Sequence, residues 1–313
     1  MTRPHAITVP NQPARRAFTL VELMVVIMII AILSSLTLAG LSGVRQRARE
    51  DKTKSTIRKI DAVIRPMYDS YRTRRVQVTP GLAPPVAALE KLVRLRRLMV
   101  FEMPDSWSDV PTAAEFADTD PASVFGSQPW LRTAAVRSYT FTKAMASPSD
   151  NYGSAECLHM ILSTGGFEPD ALEFFRPDEI GDIDKDGVPE FWDGWGRPIA
   201  FFRWAPGFSE PYSLVQKADP ANAHDPLDPW NLDPTGFALI PLIFSAGPDE
   251  STNDPLSTAA SGYGLARLAS GWAGEDLSDI CGTTTTGGAV GGPDAANPTA
   301  FQDNITNHDL SSQ

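Results

Sequence analysis

The chain has 313 residues, a formal net charge of −11 and only two cysteines. That length predicts one or two domains, and two cysteines are too few for a disulfide framework. The charge is segregated: residues 1–17 carry three arginines, residues 44–99 carry 15 Lys/Arg against 5 Asp/Glu, and residues 100–313 carry 9 against 32.

Residues 1–17 are polar and proline-rich, without periodicity, and are set aside from the fold as a leader peptide. Residues 18–43 form one apolar run with no proline and a single charge, Glu22. As a helix the run would be about 39 Å long, more than the roughly 30 Å of a hydrocarbon core. A carboxylate in such a helix costs about 2.5–3.5 kcal/mol and needs a partner or a role. A cut before Phe18 would place a free amine four residues from Glu22, so one helix could offer its amine to the glutamate of a neighbour.

The residues RRAFTLVELMVVIMIIAIL resemble the processing and methylation motif of type IV prepilins and type II secretion pseudopilins. The resemblance implies cleavage between Ala17 and Phe18, with Ala17 standing where the family usually has glycine. It implies that Phe18 becomes the N-methylated first residue and that Glu22 is the assembly glutamate. It also implies that the leader stays inside and the bulk is exported, which the basic residues on both sides of the run leave open. Three other readings compete: a twin-arginine export signal at Arg15-Arg16, a signal peptide cut after Ala39, and an uncleaved anchor. None of them gives Glu22 a role.

Beyond Gly43 the helix is expected to continue to about residue 75. Ile57, Ile60, Ile64, Met67 and Tyr71 recur at spacings of three and four, which marks one apolar stripe. Pro66 is expected to kink or end it. The basic residues here suit pairing with acidic heads of neighbouring subunits. Nucleic acid is the rival partner, disfavoured because the run adjoins an apolar helix and lacks interleaved aromatics. Residues 78–88 read as a turn-rich break, and residues 89–101 as a helix with Leu92, Leu95, Leu98 and Met99 on its apolar face. Residues 157–163 predict a short helix stopped by Gly165-Gly166. Residues 199–204 and 237–244 predict strands, with Pro241 placing the second at a sheet edge or bulge. Residues 205–236 read as a long loop, and residues 282–313 as a flexible tail. Cys157 and Cys281 are either a disulfide pair or two buried thiols.

The acids of Asp182-Ile183-Asp184-Lys185-Asp186-Gly187-Val188-Pro189-Glu190-Phe191-Trp192-Asp193 fall at positions 1, 3, 5, 9 and 12 of a calcium loop, with glycine at 6. Alternate carboxylates and the Val188 carbonyl at position 7 would wrap a hard cation. The bland alternative is an acidic surface turn. Next, Asp193-Gly194-Trp195-Gly196-Arg197-Pro198 and the residues LIFSAGPD at 242–249 resemble the turn and last strand of G-type pseudopilins. That resemblance implies calcium ligands at Asp249, Asp276 and Asp279. The chain departs from it by an insertion between Asp249 and Gly274, which suits a minor or lineage-specific subunit better than a standard major one.

No catalytic constellation stands out. His5, His159, His224 and His308 are scattered, and there is no G-x-S-x-G or P-loop. His159 reads as a core histidine, and the aromatics around Trp195 as packing.

The expected fold is α+β, a pilin-like lollipop: leader 1–17, membrane helix 18–43, amphipathic continuation 44–75, head 76–281 with a small antiparallel sheet and long loops, and tail 282–313. The expected function is a non-enzymatic structural subunit of a type II secretion pseudopilus or related pilus, single-pass in a bacterial inner membrane with its head outside. Its implied partners are a prepilin peptidase, other pseudopilin subunits and the secretion platform, with calcium as cofactor and no nucleic acid. The alternative is a membrane-tethered binding or adhesive module.

Overall fold

The computed structural model describes residues 18–146, 148, 152–164, 167–168, 170–248, 290–293 and 301–310, without the side chains of 37–42. Two compact units divide at Arg47. The architecture is α+β, rich in helix, with a long N-terminal helix and two small antiparallel sheets.

Helix α1 spans Leu20–Ser70 and passes through Pro66 before a short 3-10 turn at Tyr71–Thr73 ends it. Pro66 therefore does not break it. In the second unit the predicted stripe of α1 is the core: Ile57, Ile60, Ile64, Met67 and Tyr71 are all buried. Each such side chain contributes about 1.5–3 kcal/mol. The same core takes in α2, Pro84–Glu102, whose buried residues include the predicted Leu92, Leu95, Leu98 and Met99. This helix starts five residues before its expected start because Pro84 and Pro85 occupy its first turn. Prolines there lose no hydrogen bond, since those N–H groups have no intrahelical partner.

Short helices α3 (Ala113–Ala117) and α4 (Val124–Ser127) follow, then α5 (Ala134–Ala146) and α6 (Gly153–Thr164). Helix α6 is longer than expected and buried from Gly153 through Leu162. It packs on strands β2 (Glu190–Phe191) and β3 (Ala200–Phe202). The Ser154 hydroxyl bonds to the Phe201 carbonyl and accepts the Phe201 N–H at 2.9 Å.

The first sheet is a hairpin of β1 (Ile180–Gly181) and β2, with Gly181 opposite Glu190. The second has the order β3–β4–β5, where β4 is Leu242–Ser245 and β5 is Ile305–Thr306. Pro241 does not mark an edge. It sits just before β4, which is the central strand and pairs on both sides. The strand turns Ile243 into the main core and Leu242 and Phe244 into a second cluster with Phe202, Ala205 and Phe208. Burial on both faces accounts for its unbroken apolar run.

The tail needs correction over 301–310. It supplies β5 and a terminal helix α7 (Asn307–Leu310), with Asn307 and His308 buried. Asn307 Oδ1 accepts the Ile243 N–H at 2.9 Å, and its amide donates to Asp61 on α1 at 2.7 Å. Cys157 is buried, and Cys281 lies outside the described residues.

Basic residues of α1 find acids in the same chain. Lys59 pairs at 2.8 Å with Glu179, which is fully buried and also bonds Thr56, and Lys52 pairs at 2.8 Å with Asp178. At least these two charges of the basic run hold α1 to its own head, where the sequence suggested neighbouring subunits.

Candidate assembly motif and cation centre

In the first unit, α1 begins with a reciprocal cap. Thr19 Oγ1 accepts the Glu22 N–H at 3.2 Å, and one Glu22 oxygen accepts both the Thr19 N–H at 2.9 Å and the Thr19 hydroxyl at 3.0 Å. Two orphan donors of the first turn are thereby satisfied. Glu22 thus has a local role that its spacing did not reveal. Phe18 and the apolar side chains that follow, among them Leu20, Val21, Met24, Ile27 and Ile30, are exposed around the helix. A helix apolar all round is stable only when something covers it. Among the described residues no helix is long and apolar enough to cross a membrane. The expected span includes residues 37–42, whose side chains lie outside the description, as does Ala17.

In the second unit, the β1–β2 hairpin presents the acidic loop. Gly187, at loop position 6, has φ +96°, a conformation open to glycine without strain. Its N–H donates to Asp182 Oδ2 at 3.0 Å, the Val188 N–H to Asp186 at 2.8 Å, and the Ile183 N–H to Glu190 Oε2 at 3.2 Å. These bonds gather the carboxylates. Carboxylate oxygens of Asp182, Asp184 and Glu190 lie within 4.8 Å of one another.

A second group shares Asp184 and contains a residue absent from the sequence reading. Oxygens of Glu156, Asp184 and Asp186 also lie within 4.8 Å of one another. Glu156 comes from α6, is 0% exposed, and is tied through Oε2 to the indole N–H of Trp107. Its other oxygen, Oε1, is buried with no hydrogen-bond partner, as are Glu190 Oε1 and Asp182 Oδ1. Burial, with the charges of Asp186 and Asp184 adding to it, pushes the Glu156 carboxyl up to about 8. Burial likewise pushes Glu190 up to about 7, with Asp184 and Asp182 adding. The one sequence signal for Glu156 was its place as the sole acid in the apolar run of α6.

Asp193 stands apart from both groups. Its Oδ1 accepts the N–H groups of Trp195 at 2.8 Å and Arg197 at 2.9 Å, and its Oδ2 accepts the Ser245 hydroxyl at 2.6 Å. It organises the turn into β3 and joins that turn to β4, so the acidic loop closes at Glu190. Val188 is buried beside the loop. Asp249, Asp276 and Asp279 lie outside the described residues.

The same turn seats on α1. The Gly194 N–H donates to Thr53 Oγ1 at 2.9 Å, and a Cβ at Gly194 would strike the backbone of Arg49. Gly194→Ala is expected to destabilise the fold by about 1–3 kcal/mol, because backbone cannot rotate away as a side chain can. Thermal melting of the detergent-solubilised chain checks this. An unchanged midpoint would show that α1 does not need this close approach.

His159 is buried on α6 against the ring of Phe191, at 5.2 Å between centroids, and burial lowers its pKa to about 4.

Residues 13–38 match the family model of the prokaryotic N-terminal methylation motif. The match covers the N-terminal segment alone and is consistent with the type IV prepilin and pseudopilin family. No curated protein and no solved structure matches the chain.

Proposed function

We propose, from the methylation motif at residues 13–38, that this chain is a structural subunit of a type II secretion pseudopilus or a related pilus-like filament. The observation that carries the reading is the juxtaposition of that motif with the exposed apolar start of α1. A prepilin peptidase would cut before Phe18 and methylate its amine. The apolar half of α1 would anchor the subunit in an inner membrane and then pack among the same helices of neighbouring subunits. Either environment covers side chains that stand exposed in the single chain. The head would face the extracytoplasmic side. No enzymatic role is assigned.

Processing is testable by intact-mass and N-terminal peptide mass spectrometry in strains with and without the prepilin peptidase. The expected mature chain begins at methylated Phe18 and forms only when the peptidase is present. A chain beginning near Gly40, or an uncut chain in both strains, would overturn the reading and favour a membrane-tethered binding module.

A further inference from the structure

Three buried carboxylate oxygens have no hydrogen-bond partner: Glu156 Oε1, Glu190 Oε1 and Asp182 Oδ1. Glu156 and Glu190 are each 0% exposed. Buried acceptors are almost always paired, and each orphan calls for an explanation. Asp184 and Asp186 bring further negative charge to the same place. Five carboxylates converge there from two elements far apart in sequence, and the two groups meet at Asp184.

Burying Glu156 and Glu190 beside the charges of Asp182, Asp184 and Asp186 is costly unless the carboxyls take up protons or a cation compensates them. Every group in it is an oxygen donor, and oxygen-only sets suit hard cations rather than zinc or copper. The number of carboxylates and their place on a loop favour calcium, which takes six to eight oxygens in flexible geometry. Magnesium demands a small octahedron and retains its waters.

We propose that the chain binds calcium between α6 and the β1–β2 hairpin, with Asp184 as the common ligand and Glu156 as the ligand from outside the loop. Asp182, Asp186 and Glu190 complete the protein donors. The ion fastens the hairpin to α6, and through the indole bond of Glu156 it also fixes the segment carrying Trp107. The site is separate from the methylation motif, so its test does not depend on the filament reading.

The test uses the full chain in detergent, freed of metal, with calcium titrated by calorimetry and thermal melting followed by circular dichroism. The native chain is expected to bind with a Kd below about 1 mM, the upper range for extracellular calcium modules. Its melting temperature is expected to rise by several degrees at about a hundredfold excess over Kd. Glu156→Gln keeps an acceptor for Trp107 but loses the charge. It should weaken calcium binding by about tenfold or more, since even residues behind the ligands cost that much. Without calcium, the same variant should melt at or above the native chain, because a like charge has left the cluster. A purely structural Glu156 gives the opposite pair of results: a lower melting point without calcium and an unchanged calcium shift. Asp184→Asn, at an exposed position, should lose binding without unfolding, and it carries the test if Glu156→Gln does not fold. No calcium response in the native chain, native affinity in either variant, or equal response to magnesium overturns the proposal.

Discussion

Glu22→Gln and Glu22→Ala are both expected to leave the protein in the membrane and to reduce filament assembly by about a hundredfold or more. In the proposed filament, the methylated amine of Phe18 in one subunit meets Glu22 of a neighbour inside an apolar bundle. Removing one partner of a buried charge pair costs about 3–5 kcal/mol, which is about two to three and a half powers of ten in an equilibrium. The comparison of the two variants is needed because Glu22 also caps its own helix through Thr19. Loss of that cap alone costs about 1 kcal/mol. Glutamine retains an acceptor for Thr19 and discards only the charge. Counting sheared filaments and membrane-extracted subunits for each variant separates the roles. If Glu22→Gln assembles like the native chain while Glu22→Ala does not, the cap is what matters and the charge pair is wrong.

Arg203→Met is expected to destabilise the head by about 3–5 kcal/mol. Arg203 is 1% exposed and is among the largest fully buried side chains. Its Nη1 donates to the Met103 carbonyl at 2.7 Å and to Asp109 Oδ2 at 3.0 Å, and its guanidinium lies 4.4 Å from the Trp204 ring centroid. Burial opposes its charge, and Asp105 and Asp109 outweigh that effect, so its pKa is raised. The pair ties the residue after β3 to the turn that follows α2. Methionine would fill much of the space but leave Asp109 buried without its cation. Whole domains are stable by about 5–15 kcal/mol, so the loss should shift a urea unfolding midpoint markedly. Arg203→Met combined with Asp109→Leu should recover much of it, because replacing both members of a buried pair is often neutral. A single variant within about 1 kcal/mol of the native chain would show that the pair is dispensable.

What could be read from the chain alone was whatever repeats over a short distance. The methylation motif lies within one stretch of residues and matches as expected. The stripe on α1 and the face of α2 follow helical spacing, and the structure buries both. Asp182, Asp184 and Glu190 are gathered because a hairpin encloses them, and a hairpin is a local object. The tertiary structure alone decided the rest. Glu156 joins the acidic loop from α6, Arg203 meets Asp109 across 94 residues, and Asn307 meets Asp61 across 246. Strand β5 comes from a segment whose composition suggested a flexible tail, and it forms because β4 offers it an edge to pair with. Asp193 shows the contrast within one motif. Its spacing suited a metal loop, but Ser245 and the N–H groups of Trp195 and Arg197 claim both its oxygens. Local periodicity selects which residues go inside. Which buried polar group satisfies which is set by chain closure, because their partners become neighbours only once the distant segments pack together.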